Sequence, residues 1–148
     1  MIKTALCDML GIKHPIIQAG MGPFSTNSLA TAAANAGALG LLSTSGFRWA
    51  AMAPQLIEKL TGGEVGTTYE MMKGVLHRVK ENTRESRGVF GVNCLVSAEV
   101  TTQAKEIIQA VIDVRNEDAE LKERLKVIVT SAGDPLPWAE VIKPSGVK

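Results

Sequence analysis

The chain has 148 residues, 45% hydrophobic and 21% charged, with 16 basic against 15 acidic side chains and a formal net charge of +1. That balance leaves no basic excess for gripping nucleic-acid phosphates, and aromatics at 4% are too few for base-stacking platforms. No apolar run approaches the ~20 residues of a spanning helix, so no membrane partner is expected, and the length suits one domain that buries roughly 70% of its unfolded surface.

The first ten residues, Met1 to Leu10, are broken by Asp8 and lack an apolar h-region, so no signal peptide is expected. Cys7 and Cys94 are too few for a disulfide framework or a metal cluster. The expectation is a cytoplasmic chain with reduced thiols.

Four apolar runs have strand length: Pro15 to Met21, Leu39 to Ser43, Val89 to Val96 and Lys126 to Ser131. Apart from Gln18 and Asn93 they lack polar alternation, which predicts strands buried on both faces, as in parallel sheets. An Ala-rich helix is predicted from Asn27 to Ala36, with Ser25 or Thr26 as N-cap and Gly37 as terminator. A second helix follows Ala50, with Pro54 near its first turn, and runs to about Leu60. After the breaker Thr61-Gly-Gly-Glu-Val-Gly66, a helix over Thr68 to Asn82 places Met71, Met72, Val75, Leu76 and Val79 at core spacing. The longest helical pattern covers Val100 to Leu125, with Asn116 to Glu120 polar enough to divide it. Its charges, Arg115 and Arg124 among them, read as a solvated face. A last helix begins near Pro137 and fades at Lys143. The order is β-α-β-α(α)-β-α-β-α, an α/β chain of parallel units with right-handed crossovers.

Ligands of parallel α/β folds bind where the strands finish. Here the strands end in Gln18-Ala-Gly-Met-Gly22, Ser43-Thr-Ser-Gly46, Asn93-Cys-Leu-Val-Ser97 and Thr130-Ser-Ala-Gly-Asp-Pro135. All four are small, polar or glycine-bearing, without Lys, Arg or Glu. Small residues let a flat ligand approach the backbone amides, so the rim points to an uncharged planar ligand. Gly20-Met-Gly22 opens like a dinucleotide fingerprint, but Pro-Phe-Ser25 follows and the third glycine is missing. There is no Walker A lysine pattern and no Gly-x-Ser-x-Gly elbow. His14 precedes the first strand and His77 lies inside a helix, so both read as structural or surface residues. Cys94 reads as a small buried filler and Asp134 as a turn residue before Pro135.

These motifs resemble the nitronate monooxygenase (formerly 2-nitropropane dioxygenase) family, which includes flavin-dependent enoyl-acyl-carrier-protein reductases. The similar stretches are Gly11-Ile-Lys-His-Pro-Ile-Ile-Gln-Ala-Gly-Met21, Leu29-Ala30, Asn35-Ala-Gly37, Leu39-Gly40, Phe90-Gly-Val-Asn93 and Val129-Thr-Ser-Ala-Gly-Asp-Pro135. The resemblance covers almost the whole chain, from Leu10 to Val147. The resemblance implies a (β/α)8 TIM barrel, a fold of typically ~250 residues, binding FMN at its strand ends. On that reading residues 1–148 are a single partial-barrel domain, the N-terminal half. Ala19, Gly20 and Met21 would run along the isoalloxazine ring. Asn93 would bond the ring's polar edge or the ribityl chain. Thr130, Ser131 and Gly133 would lie near the substrate face, with Gln18 supporting from behind.

The family's chemistry implies an oxidoreductase with a small-molecule substrate. An alkyl nitronate reduces the flavin and oxygen reoxidises it; in the reductase branch a nicotinamide supplies the hydride to an enoyl thioester. The family's catalytic histidine, in a Gly-Gly-His motif, and its phosphate loops correspond to no residues here, and His14 and His77 stand at no strand end. No catalytic residue is therefore assigned. The segments from Thr61 to Ser86 and from Asp113 to Leu125 are expected outside the barrel. An alternative function is a non-catalytic half barrel whose open faces drive homo-oligomerisation. An inosine-monophosphate-dehydrogenase-like reading lacks the cysteine loop it needs.

Overall fold

The computed structural model describes residues 2–22, 26–47, 53 and 57–148. Helix α1 (Ala5–Leu10) stops where Gly11, at φ +75°, turns its N–H back to the Cys7 carbonyl. Strand β1 (Ile17–Gln18) is followed by α2 (Thr26–Asn35), β2 (Leu39–Ser43), α3 (Ile57–Thr61), α4 (Thr68–Asn82) and β3 (Phe90–Leu95). Then come α5 (Thr101–Glu117), α6 (Ala119–Arg124), β4 (Leu125–Ser131) and α7 (Leu136–Ile142), with short 3-10 turns at Ala98–Val100 and Lys143–Ser145. The four strands form one parallel sheet in the order β1-β2-β3-β4. The alternation of strands and helices thus makes the expected α/β sheet of parallel units, a partial (β/α) barrel. At the β4 edge, Lys148 donates to the Lys126 carbonyl and its own carbonyl accepts from Ile128 N–H, so the last residue already occupies a fifth position.

Helix boundaries follow local chemistry. Thr67 and Glu70 close a capping box ahead of α4, and Met71, Met72, Val75, Leu76 and Val79 are all buried. Asp118 divides the long helical pattern: its Oδ1 accepts from Glu120 N–H and Leu121 N–H at 2.9 and 3.0 Å and starts α6. The α2 helix begins at Thr26 rather than Asn27 and ends before Gly37, whose φ is +87°. The proposed cap Ser25, and the helix expected from Ala50 through Pro54, lie outside the described residues except for Ala53 and Ile57–Thr61.

Three expectations need correction. Strand β1 holds two residues rather than seven, because the Gln18 side-chain carbonyl, not the main chain, accepts the Leu41 N–H at 3.2 Å and ends the ladder. The strands are not all buried on both faces. Residues alternate between faces, and the outer set (Leu42, Phe90, Val92, Cys94, Ile128) lies under the helices. Among the described residues the inner set (Leu39, Leu41, Val127, Val129) is covered by α1 and the turn that follows it, through Leu6, Cys7, Leu10 and Ile12. Ile17 on that face stays 48% exposed. Arg115 and Arg124 are not on a solvated face either: they are 5% and 2% exposed. Arg124 donates to the carbonyls of Lys80, Thr83 and Gly88 at 2.9 to 3.2 Å, to Thr83 Oγ1, and to Glu120 Oε1 at 2.6 Å. It ties the end of α4 to the start of β3. Arg115 donates to the Lys122 and Leu125 carbonyls.

Candidate flavin rim at the strand ends

Because the sheet is parallel, all four C-terminal strand ends meet on one rim. Register places Ser43 beside Asn93, Asn93 beside Val129, and Leu95 beside Ser131. Val92 and Cys94 pack into the outer core, so alternation turns Asn93 and Ser131 to the inner face and Thr130 to the outer one.

The loop leaving β1 folds over this inner patch. A Cβ on Gly20 would sit 2.6 Å from the Asn93 Cβ, and one on Gly22 would sit 1.4 Å from Ser45 Oγ and 3.0 Å from Ser43 Oγ. Any side chain at either position would displace the residues beneath. Gln18 secures the turn, its Nε2 donating to the Ala19 carbonyl and its Oε1 accepting from Leu41 N–H. The Ser43 and Ser45 hydroxyls lie 2.9 Å apart, and Thr44 bonds the Asn93 carbonyl through both N–H and Oγ1. Met21 stands 65% exposed at the open end.

Of the residues singled out in the sequence, Gly20 and Asn93 touch, while Ala19 and Met21 flank them. Ser131 shares their face and donates to the Cys94 carbonyl at 3.4 Å. Thr130 faces the helices. Gly133 packs on the loop after β3, where a Cβ would lie 2.6 Å from the Val96 carbonyl oxygen. Ala132, just before it, carries a left-handed φ of +59°. Gly22, Ser43 and Ser45 were not singled out for the site. Their signal was the small polar composition of the first two strand ends, but their mutual contact is a product of the fold.

Among the described residues the inner rim carries no charged side chain and no group of His, Cys, Asp or Glu fit to hold a metal. Asp134 is a turn residue as read, its Oδ1 accepting Leu136 N–H at 3.0 Å. Cys94 is fully buried, and burial pushes its thiol up to about 12, so it offers no thiolate near neutral pH. His14 is held at the opposite end of the sheet by its N–H bond to the Gly37 carbonyl, and His77 lies within α4. The arrangement is a neutral, glycine-floored surface with amide and hydroxyl groups, suited to a flat heteroaromatic ring.

Comparison with known proteins bears on the family and the fold. The nitronate monooxygenase family model matches residues 3–141. Two curated relatives carry the name (3aS,4S,5R,7aS)-5-hydroxy-7a-methyl-1-oxo-octahydro-1H-indene-4-carboxyl-CoA dehydrogenase. The one from Mycobacterium tuberculosis (strain ATCC 25618 / H37Rv) is 44% identical over 43 residues, and the one from Rhodococcus jostii (strain RHA1) is 42% identical over 43. In each case the match is 29% of this chain and 12% of the relative. The solved structure of FabK from Thermotoga maritima superposes with a TM-score of 0.65 at 23% identity, covering 100% of this chain and 36% of that one. A point mutant of the same protein matches equally, with 38% of its chain covered. The chain therefore spans little more than a third of the solved proteins it resembles. With nearly its whole length matched, the chain belongs to the nitronate monooxygenase family of oxidoreductases.

Proposed function

We propose that the rim holds the isoalloxazine ring of FMN, and that the chain supplies the ring-binding part of an enzyme that oxidises alkyl nitronates with oxygen. The observation that carries this reading is the seating of Gly20 on Asn93 within a rim free of charge. The family is flavin-dependent in general, and the residues fit one part of FMN and not another. The flat neutral ring matches the glycine floor and the Asn93 amide, whereas no Lys or Arg in residues 19–22, 43–45, 93–97 or 130–134 meets a phosphate dianion. Phosphate binding is thus no part of this rim's task.

Bound there, the flavin supplies the two-electron chemistry. The chain's own residues orient it. Asn93 offers a donor and an acceptor to the ring's heteroatoms, Gln18 holds the Ala19 turn, and the Ser43–Ser45 pair fixes the floor under Gly22. Ser131 borders the same face. Thr130 and Gly133 stay in the proposal only as outer neighbours of the substrate path. With no helix of the described residues long and apolar enough to cross a membrane, the reaction is proposed for the cytoplasm.

A second reading, enoyl or acyl thioester reduction, draws on the CoA thioester in the printed name of both curated relatives. Two measurements test and separate the readings. Free FMN fluorescence is expected to quench saturably on adding the chain, and Asn93→Leu to weaken that about tenfold, the loss of one or two hydrogen bonds. An unquenched titration defeats the rim assignment. Nitrite release from propane-2-nitronate in air supports nitronate oxidation; NADH-driven reduction of crotonyl-CoA without nitrite release replaces it with the second reading.

We also propose that two copies associate. Ile17 on the inner face and Met9 on α1 are 48% and 54% exposed, and apolar surface of this kind favours a covering partner. Sedimentation is expected to give a dimer at micromolar concentration, and a monomer there rejects it.

A further inference from the structure

On the outer side of the sheet, away from Asn93, a cavity of about 730 Å³ opens between α5 and α7. That volume lies in the ordinary range for small-molecule sites. Its walls are apolar: Val96 at the end of β3, Ile108 on α5, and Trp138 and Val141 on α7. Trp138, 9% exposed, belongs to the outer core and also lines the cavity. Among the described residues one cation reaches the mouth. Lys105 lies one turn before Gln109 and just short of Ile108 on α5, and no carboxylate among the described residues pairs with it. The two acids at the mouth are occupied. Asp134 caps the start of α7 through Leu136 N–H, and Glu99 has a partner of its own. Gln109 donates to Asp113 at 2.8 Å and points its polarity down the helix.

An apolar chamber with one free ammonium at its lip has the chemistry of a site for an amphipathic anion. We propose that this cavity binds a medium-chain or aryl monocarboxylate, tail against Trp138, Ile108 and Val141 and carboxylate on Lys105. The site stands apart from the flavin rim, since the sheet lies between it and the inner face, and it does not rest on the flavin reading. It meets the loops of the rim at Val96, Ser97, Ala132, Gly133 and Asp134, which gives a bound acid a physical route to the loops after β3 and β4. Burying ten methylene or aromatic carbons in such a chamber supplies the attraction, and the charge pair supplies the choice of acid over alcohol.

Trp138 is its own reporter. The only other tryptophan is Trp49, so a Trp49→Phe chain isolates the signal. Decanoate titrated into that chain is expected to change Trp138 emission saturably, and decanol to do so more weakly. Lys105→Gln, at an exposed position, is expected to weaken decanoate about tenfold and leave decanol unchanged. Val141→Glu, which sets a carboxylate into the half-exposed wall, is expected to abolish the decanoate response. A linear drift without saturation overturns the proposal, as does equal decanoate binding by the parent and Lys105→Gln chains.

Discussion

On its outer face the sheet sets Leu42, Phe90, Val92 and Cys94 beneath α2, α4 and α5, each at most 1% exposed. On its inner face the sheet presents Gly91, Asn93, Ser43 and a half-buried Val129, with α1 as the helical cover among the described residues. Sequence neighbours thus serve opposite ends. The outer positions exclude water, and two buried arginines bind helix ends to strand starts there. The inner positions give up apolar bulk for amides, hydroxyls and the close approach of a glycine loop. Under the proposed function the flavin lies on the inner face while the outer face carries the packing, so substitutions on the two faces are expected to read out in different assays.

The largest break in that contrast is Arg124→Met. It leaves the carbonyls of Lys80, Thr83 and Gly88 without a buried donor, and urea unfolding is expected to show a loss of about 3 kcal/mol. A loss below about 1 kcal/mol would mean that water replaces the clamp. A matched pair sharpens the contrast next: Val92→Ala on the outer face is expected to cost about 2 kcal/mol, and Val129→Ala on the inner face about half of that, because its surroundings are already partly wet. Gly22→Ala works the other way. It drives a methyl into Ser45, and is expected to lower FMN affinity by about tenfold with a thermal midpoint close to the parent's.

The smallest effect concerns the Lys80–Asp118 contact at 2.8 Å. The hydrogen bond from Lys80 holds the Asp118 carboxyl below its ordinary range, and the bond to Asp118 holds the Lys80 ammonium above its own. A depressed carboxyl stabilises the fold above its unfolded pKa, and that contribution fades as pH falls through the folded value. A raised ammonium stabilises below its unfolded pKa and fades as pH climbs through the folded one. The contribution therefore spans the interval between the two groups, and is expected to be below about 1 kcal/mol for a pair still partly open to solvent. Asp118→Asn keeps an N-cap for α6 while removing the charge. Its urea stability is expected to fall less steeply in acid than the parent's, and parallel curves would show the pair to be inert.

Much of the fold was legible because periodicity and caps are local. The stripe from Met71 to Val79 marks α4 without reference to the rest of the chain. The four strand ends announced a neutral rim for the same reason. Arg115 and Arg124 misled because a charge run looks solvated until one asks which carbonyls lie free at the neighbouring helix end. The two-residue β1 could not be read because it depends on Gln18 taking a ladder bond with its side chain, which an apolar run conceals.

By itself, the sequence determined the parallel α/β order and the small polar character of the rim, since each follows from residue type at short range. Only the tertiary structure decided which face each strand residue serves, that Gly20 and Gly22 lie on Asn93 and Ser45, and that two arginines are interior. The two glycine contacts join residues 73 and 23 positions apart in the chain, and the packing that makes all of these outcomes exists only once the sheet has formed.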